Sequence, residues 1–145
     1  MNEGLGHILL AEDSLNDIEL TKEALSGQNL ANQIDVVRDG QEALDYLYRQ
    51  GEYAERPPGD PAVILLDLKL PRIDGLEVLS KVKGDPALRH VPVVMLTSSR
   101  EEKDLVESYK LGVNSYIVKP VDFEQFADTV SQVGMYWVLA NQTVA

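Results

Sequence analysis

The sequence predicts an α/β domain built on a doubly wound parallel sheet of five strands. Three observations lead there. Five short apolar runs alternate with longer amphipathic stretches. Four of the runs are almost continuously apolar, as strands covered on both faces are. Each stretch between two runs opens with a helix start signal.

The first run is Ile8-Leu9-Leu10-Ala11. Ser14, three residues ahead of Asp17, resembles a capping box, in which a side-chain oxygen and a later carboxylate satisfy free backbone N–H groups. Leu15, Ile18 and Leu25 follow at helical spacing. The second run, Ile34 to Val37, sits in more polar surroundings and reads as an edge strand. Asp39 and Glu42 start the next helix, with Ala43, Leu44 and Leu47 behind them. The Pro-rich segment Glu52 to Pro61 reads as a surface loop, too short to join two domains. The third run is Ala62 to Leu66, and the helix after it starts at Asp74 with Glu77 and carries Leu76, Leu79 and Val82. Val91 to Leu96 forms the fourth run, and Ser99 with Glu102 opens a helix bearing Leu105, Val106 and Tyr109. Tyr116 to Val118 is the fifth run. Gly27, Gly51, Gly84 and Gly112 stand near helix ends, where a left-handed residue is often wanted. Right-handed crossovers between parallel strands then lead to a flavodoxin-like order, 2-1-3-4-5.

Length and charge narrow the function. The chain of 145 residues suits one domain with one core, spanning 1–145. Its net charge of −11 repels nucleic-acid phosphates and anionic headgroups, so neither direct nucleic-acid binding nor membrane binding is expected. A basic partner or a bound cation is easier to accommodate. The absence of cysteine excludes disulfides, thiolate metal sites and thiol nucleophiles, and fits a cytoplasmic location. Met1-Asn2-Glu3-Gly4 lacks the pattern of a signal peptide, and no apolar run approaches the roughly 18 residues of a membrane span.

Chemistry concentrates where the apolar runs end. The first is followed by Glu12-Asp13, the third by Asp67, the fourth by Thr97 and the fifth by Lys119. In a parallel sheet these ends share one edge, and ligands bind there. Three carboxylates brought that close need compensating charge. Lys119 supplies one, and a hard divalent cation such as Mg²⁺ supplies more. Such a site suits phosphoryl transfer, and Asp67, ending the central strand ahead of the turn Lys69-Leu70-Pro71 and Asp74-Gly75, is the expected nucleophile.

At these residues the sequence resembles the receiver domains of two-component signalling. The resemblance covers about residues 7 to 130. It rests on Ile8-Leu9-Leu10-Ala11-Glu12-Asp13, Leu65-Leu66-Asp67-Leu68-Lys69-Leu70-Pro71 with Gly75, Val94-Met95-Leu96-Thr97-Ser98 and Tyr116-Ile117-Val118-Lys119-Pro120. Each motif alone is weak; the four in order are specific. The resemblance implies that Asp67 accepts the phosphoryl group. It implies that Asp13 ligates Mg²⁺ directly, that Glu12 does so partly through water, and that the Lys69 backbone carbonyl completes the protein ligands. The family more often carries Asp at the Glu12 position. Thr97 and Lys119 would bind the phosphoryl oxygens, the peptide bond before Pro120 would be cis, and Tyr116 would move between exposed and buried rotamers. Lys69 and Ser99 stand where receiver side chains tune phosphate lifetime. The donor would be a sensor histidine kinase. The Pro-rich loop before the third strand, a long second helix and the Tyr-Trp-Val-Leu-Ala-Asn ending together resemble, more loosely, single-domain regulators paired with bacterial phytochrome kinases.

Plainer roles exist for most of these residues taken singly. Glu12 and Asp13 suit the first turn of a helix, Thr97 a strand end, Lys119 a solvated surface and Tyr116 simple packing. His7 and His90 flank strands without companion ligands and read as structural or surface residues.

The last helix is expected over about 122–141, and its stretch from Phe123 to about Ala140 alone is roughly 27 Å at 1.5 Å per residue, long enough to project past the sheet. Phe123, Phe126, Ala127, Val130, Val133, Trp137 and Val138 recur along it, and Gly134 to Ala140 is apolar nearly all round. A segment of that kind needs covering. The expectation is a homodimer, with Phe126, Val130, Tyr136 and Trp137 at its interface.

Two other functions share parts of this pattern. A phosphatase of the haloacid-dehalogenase type also has an aspartyl nucleophile, but resembles Asp-x-Asp where this chain has Asp67 and Lys69. A flavodoxin-like electron carrier would need a hydroxyl- and Gly-rich loop after the first strand, where Glu12-Asp13 would repel a flavin phosphate.

Overall fold

A computed structural model of the chain describes residues 7–26, 33–99, 102, 113 and 115–132. The strands are β1 (Ile8–Ala11), β2 (Ile34–Val37), β3 (Val63–Asp67), β4 (Val93–Thr97) and β5 (Ser115–Val118). They form one parallel sheet in the order β2-β1-β3-β4-β5. The helices among the described residues are α1 (Leu15–Ser26), α2 (Gly40–Tyr48), α3 (Gly75–Gly84) and α4 (Phe123–Gln132), with a 3₁₀ turn at Gly51–Tyr53. The helix expected after Ser99 lies outside the described residues apart from its start at Glu102.

Side chains on a strand alternate between faces, and the core divides accordingly. Leu9, Ala11, Ile64, Leu66 and Met95 face α2 and α3 in one buried cluster. Ile8, Leu10, Leu65, Val94 and Leu96 face α1 and α4 in the other. β1, β3 and β4 are buried at every position, which explains their unbroken apolar runs. The fifth run departs from that expectation. β5 is an edge strand among the described residues and leaves Val118 38% exposed.

The start signals work as helix caps with variations. The Ser14 hydroxyl accepts from Asp17 N, the Asp39 carboxylate from Glu42 N, the Asp74 carboxylate from Glu77 N and the Ser99 hydroxyl from Glu102 N. Glu42 and Glu102 reach back one residue before the cap, to Arg38 N and Ser98 N. Asp17 does not reach back at all. Of the expected terminal glycines, Gly27 and Gly112 lie outside the described residues. The left-handed residue closing α2 is Arg49 (φ 55°), two residues before Gly51, and α3 ends at Gly84 with an extended Asp85. Gly51 does adopt φ 58°, within the 3₁₀ turn.

One correction concerns the last helix. Only Phe123–Gln132 falls within the described residues; Tyr136 and Trp137 lie outside them, as does the Val130 side chain. Phe126 is 0% exposed in the cluster with Leu10 and Leu96, so its own domain consumes the surface assigned to an interface. The same amphipathic spacing serves a core equally well.

The Pro-rich loop is tied down by Arg56. Its guanidinium lies 4.1 Å from the Tyr46 ring centroid and donates to the carbonyls of Tyr46 and Gly59. His7 and His90 both have carboxylate partners, Asp35 at 2.6 Å and Asp60 at 3.0 Å, at the sheet edge remote from Asp67. No helix among the described residues is long and apolar enough to cross a membrane.

Candidate phosphoacceptor site

The register of the sheet assembles the site. Ala11 pairs with Leu66, so Glu12 follows beside Asp67. Asp67 pairs with Leu96 and Thr97 with Val118, which sets Lys119 one residue past the edge of β5. Backbone bonds extend this order beyond the strands: Glu12 N donates to Val37 O, Leu68 N to Leu96 O and Lys119 N to Thr97 O. The Lys119-Pro120 peptide bond is cis.

Glu12, Asp13 and Asp67 each offer one carboxylate oxygen, all within 4.8 Å of one another. Glu12 is 1% exposed, and both its oxygens are engaged, Oε1 by Lys119 Nζ at 3.0 Å and Oε2 by Ser14 N at 3.1 Å. Asp13 is exposed and open to solvent. All-oxygen donors, one of them accessible, suit a hard divalent cation that keeps waters, so the residues fit Mg²⁺.

Lys119 is the counter-charge. Its ammonium touches three carboxylates, Glu12 at 3.0 Å, Asp17 at 3.0 Å and Asp67 at 3.2 Å. Burial alone would pull its pKa down, but hydrogen bonds to Asp17 and Glu12, with the charges of Asp67 and Glu12, hold it above the ordinary lysine value. Asp67 moves the other way. Burial, then repulsion from Glu12, pushes it up to about 6 despite the opposing pull of Lys119.

Thr97 Oγ1 is buried and has no hydrogen-bond partner among the described residues. Leaving a buried hydroxyl unpaired costs about 1–3 kcal/mol. A group that accepts from this hydroxyl would recover that cost. Lys69 follows Asp67 by two residues, but its side chain is 75% exposed and pairs with Glu102 at 3.0 Å. Tyr116 is half-buried against the cluster on the α2–α3 face.

The sequence motifs thus identify residues that the fold brings together at one edge: Glu12, Asp13, Asp67 and Lys119 in mutual reach, with Thr97 closing β4 beside them. Asp17 was legible only as part of a capping pair. Its role as an ion-pair partner depends on Lys119, 102 residues away in the chain. The Asp122 cap on Gln125 N was also overlooked, although its Asp-x-x-Gln spacing was present to be read.

A family model, the response regulator receiver domain, matches residues 8–131. The chain is 40% identical over 131 residues to the response regulator Rcp1 of Synechocystis sp., covering 90% of this chain and 88% of that protein. Among solved structures, the bacteriophytochrome response regulator AtBRR is similar with a TM-score of 0.89 and 62% identity, covering 92% of this chain and 95% of that one. The Mn²⁺-bound form of Rcp1 is similar with a TM-score of 0.73 and 39% identity, covering 97% of each chain.

Proposed function

Since the chain belongs to the response regulator receiver family, we propose that it is a phosphoryl-accepting switch that receives the group on Asp67 from the phosphohistidine of a sensor kinase, with Mg²⁺ bound beside it. The observation that carries this reading is the contact of one partly buried ammonium, Lys119, with both Asp67 and Glu12 beside a three-carboxylate cluster. The likeness to a bacteriophytochrome response regulator supports a light-regulated kinase as the donor.

An Asp67 carboxylate oxygen attacks phosphorus while the P–N bond of the donor breaks, and the imidazole leaves with the bonding pair and takes up a proton. Asp13, Glu12, Asp67 and the Lys69 carbonyl are the ligands we assign to the cation, with Glu12 acting partly through water. A bound Mg²⁺ supplies charge neutralisation and orientation of the phosphoryl oxygens. Lys119 donates to those oxygens. Thr97, whose hydroxyl lacks a partner among the described residues, turns onto the phosphoryl group, and Tyr116 follows it inward. Hydrolysis of the acyl phosphate then resets the switch. A haloacid-dehalogenase-type phosphatase is disfavoured by the outward Lys69, and a flavin carrier by the carboxylates after β1.

The test is incubation with acetyl phosphate and Mg²⁺, followed by intact mass. One added phosphoryl group, acid-stable, base-labile and lost in Asp67→Asn, is expected. Steady hydrolysis of assorted phosphomonoesters, or no adduct at all, would refute the reading.

The apolar segment Gly134 to Ala140 supports a homodimer built on the last helix, with Val130, Tyr136 and Trp137 at the contact. Sedimentation of the full chain against a chain ending at Gln132 tests it. A dimer for the first and a monomer for the second is the expected result, and equal monomers would remove the idea.

A further inference from the structure

We infer that Asp17 is a positioning residue for Lys119, the anchor that keeps the ammonium aimed at Asp67 once cation and phosphoryl group are in place; this rests on the phosphoacceptor reading above.

Lys119 faces three carboxylates, donating hydrogen bonds to Glu12 and Asp17 and standing in ion-pair contact with Asp67 at 3.2 Å. The three acceptors are not equivalent. Asp67 is the residue to be modified. Glu12 belongs to the cluster suited to a cation and already accepts from Ser14 N with its second oxygen. Asp17 belongs to neither group. It is the one acceptor of the three whose bond to Lys119 survives unaltered when the others are drawn into metal and phosphoryl chemistry.

A second observation shows that Asp17 is released for this task. At its place, three residues after the Ser14 cap, a carboxylate ordinarily bonds the cap residue's own N–H. Here Glu12 Oε2 takes Ser14 N, while Ser14 Oγ still caps Asp17 N. The first turn of α1 is therefore satisfied without the Asp17 carboxylate, which instead reaches Lys119 Nζ at 3.0 Å. Asp17 is also only partly buried, with 26% of its side chain exposed, so it holds the ammonium without adding a desolvated charge to the pocket.

The anchor has a directional consequence. With two N–H groups held by Glu12 and Asp17, the ammonium is kept within 3.2 Å of Asp67. Loss of Asp17 leaves the ammonium a single fixed partner outside the reacting residue, and its approach to the phosphoryl oxygens loosens.

The experiment is a double-mutant cycle of Asp17→Asn and Lys119→Met in the full chain, read three ways. With acetyl phosphate and Mg²⁺, Asp17→Asn is expected to slow labelling of Asp67 about tenfold in the native background and less than about twofold beside Lys119→Met. Mg²⁺ affinity by calorimetry should change by less than about threefold, since Asp17 is not a ligand. In the metal-free protein, Asp17→Asn should lower the melting temperature when Lys119 is present, and leave or raise it beside Lys119→Met, where only repulsion among carboxylates remains. A native labelling rate in Asp17→Asn, an equal slowing in both backgrounds, or melting shifts that do not depend on Lys119 would each overturn the positioning role. Failure of the native chain to take up a phosphoryl group would instead overturn the functional reading, and the transfer role with it.

Discussion

Gly75 packs against the backbone of Asp67 so closely that a β-carbon at Gly75 would lie 2.2 Å from the Asp67 carbonyl oxygen. The contact is fixed by a hydrogen bond from Gly75 N to Leu68 O at 2.9 Å, which folds the loop after β3 back onto the strand end. No side chain fits without moving either the start of α3 or Asp67. Gly75→Ala is expected to destabilise the protein by about 2–3 kcal/mol in urea unfolding and to slow labelling of Asp67 even where the fold persists.

Thr97 offers the opposite trade. Its hydroxyl is buried and has no partner among the described residues, so replacing it with a methyl group of the same shape removes a cost. Thr97→Val should stabilise the unphosphorylated protein by about 1 kcal/mol. The same variant should lose the structural response to phosphorylation while Asp67 still accepts the group, a separation visible by comparing intact mass with amide NMR shifts before and after acetyl phosphate.

Asp67 sets a pH dependence of known sign. Its folded pKa is raised to about 6, because burial and then Glu12 oppose the ionised form. A raised carboxylate favours the fold most below its unfolded value of 3.8 and loses that contribution as pH climbs through about 6. In metal-free protein, Asp67→Asn should therefore raise the melting temperature by several degrees above that point, and the advantage should shrink as pH falls below it. Mg²⁺ binding should weaken over the same fall in pH, since the site then takes up a proton.

Tyr46 and Tyr53 govern the alkaline limit. Burial, reinforced by the Asp35 carboxylate for Tyr46 and the Glu42 carboxylate for Tyr53, raises both phenols above their ordinary value. Tyr46 donates to Asp35 at 2.6 Å, and the two rings meet edge to face. With folded pKa values raised, their contribution is intact below about pH 10 and disappears above it. Melting temperature should fall steeply beyond that pH. Tyr46→Phe should cost about 1 kcal/mol near neutrality and flatten the alkaline limb.

Much of this molecule is written in local pattern. Alternation of apolar runs with capped amphipathic stretches specified five strands, their parallel order and the strand ends that carry Glu12, Asp13, Asp67, Thr97 and Lys119. Those signals are legible because they depend on residues near in the chain: a period of two or 3.6, and a cap three residues from its partner. The same spacing could not say what Phe126 faces, since an apolar helix stripe looks alike whether it meets its own core or another chain.

Tertiary structure decided the rest. It sent the Asp17 carboxylate to Lys119 instead of to its own helix end, left Thr97 Oγ1 without a partner among the described residues, and pressed Gly75 onto Asp67. These outcomes depend on how separate groups are brought together in space, and on how much water the packed fold removes from around a polar or charged group. Composition and periodicity hold no record of either quantity.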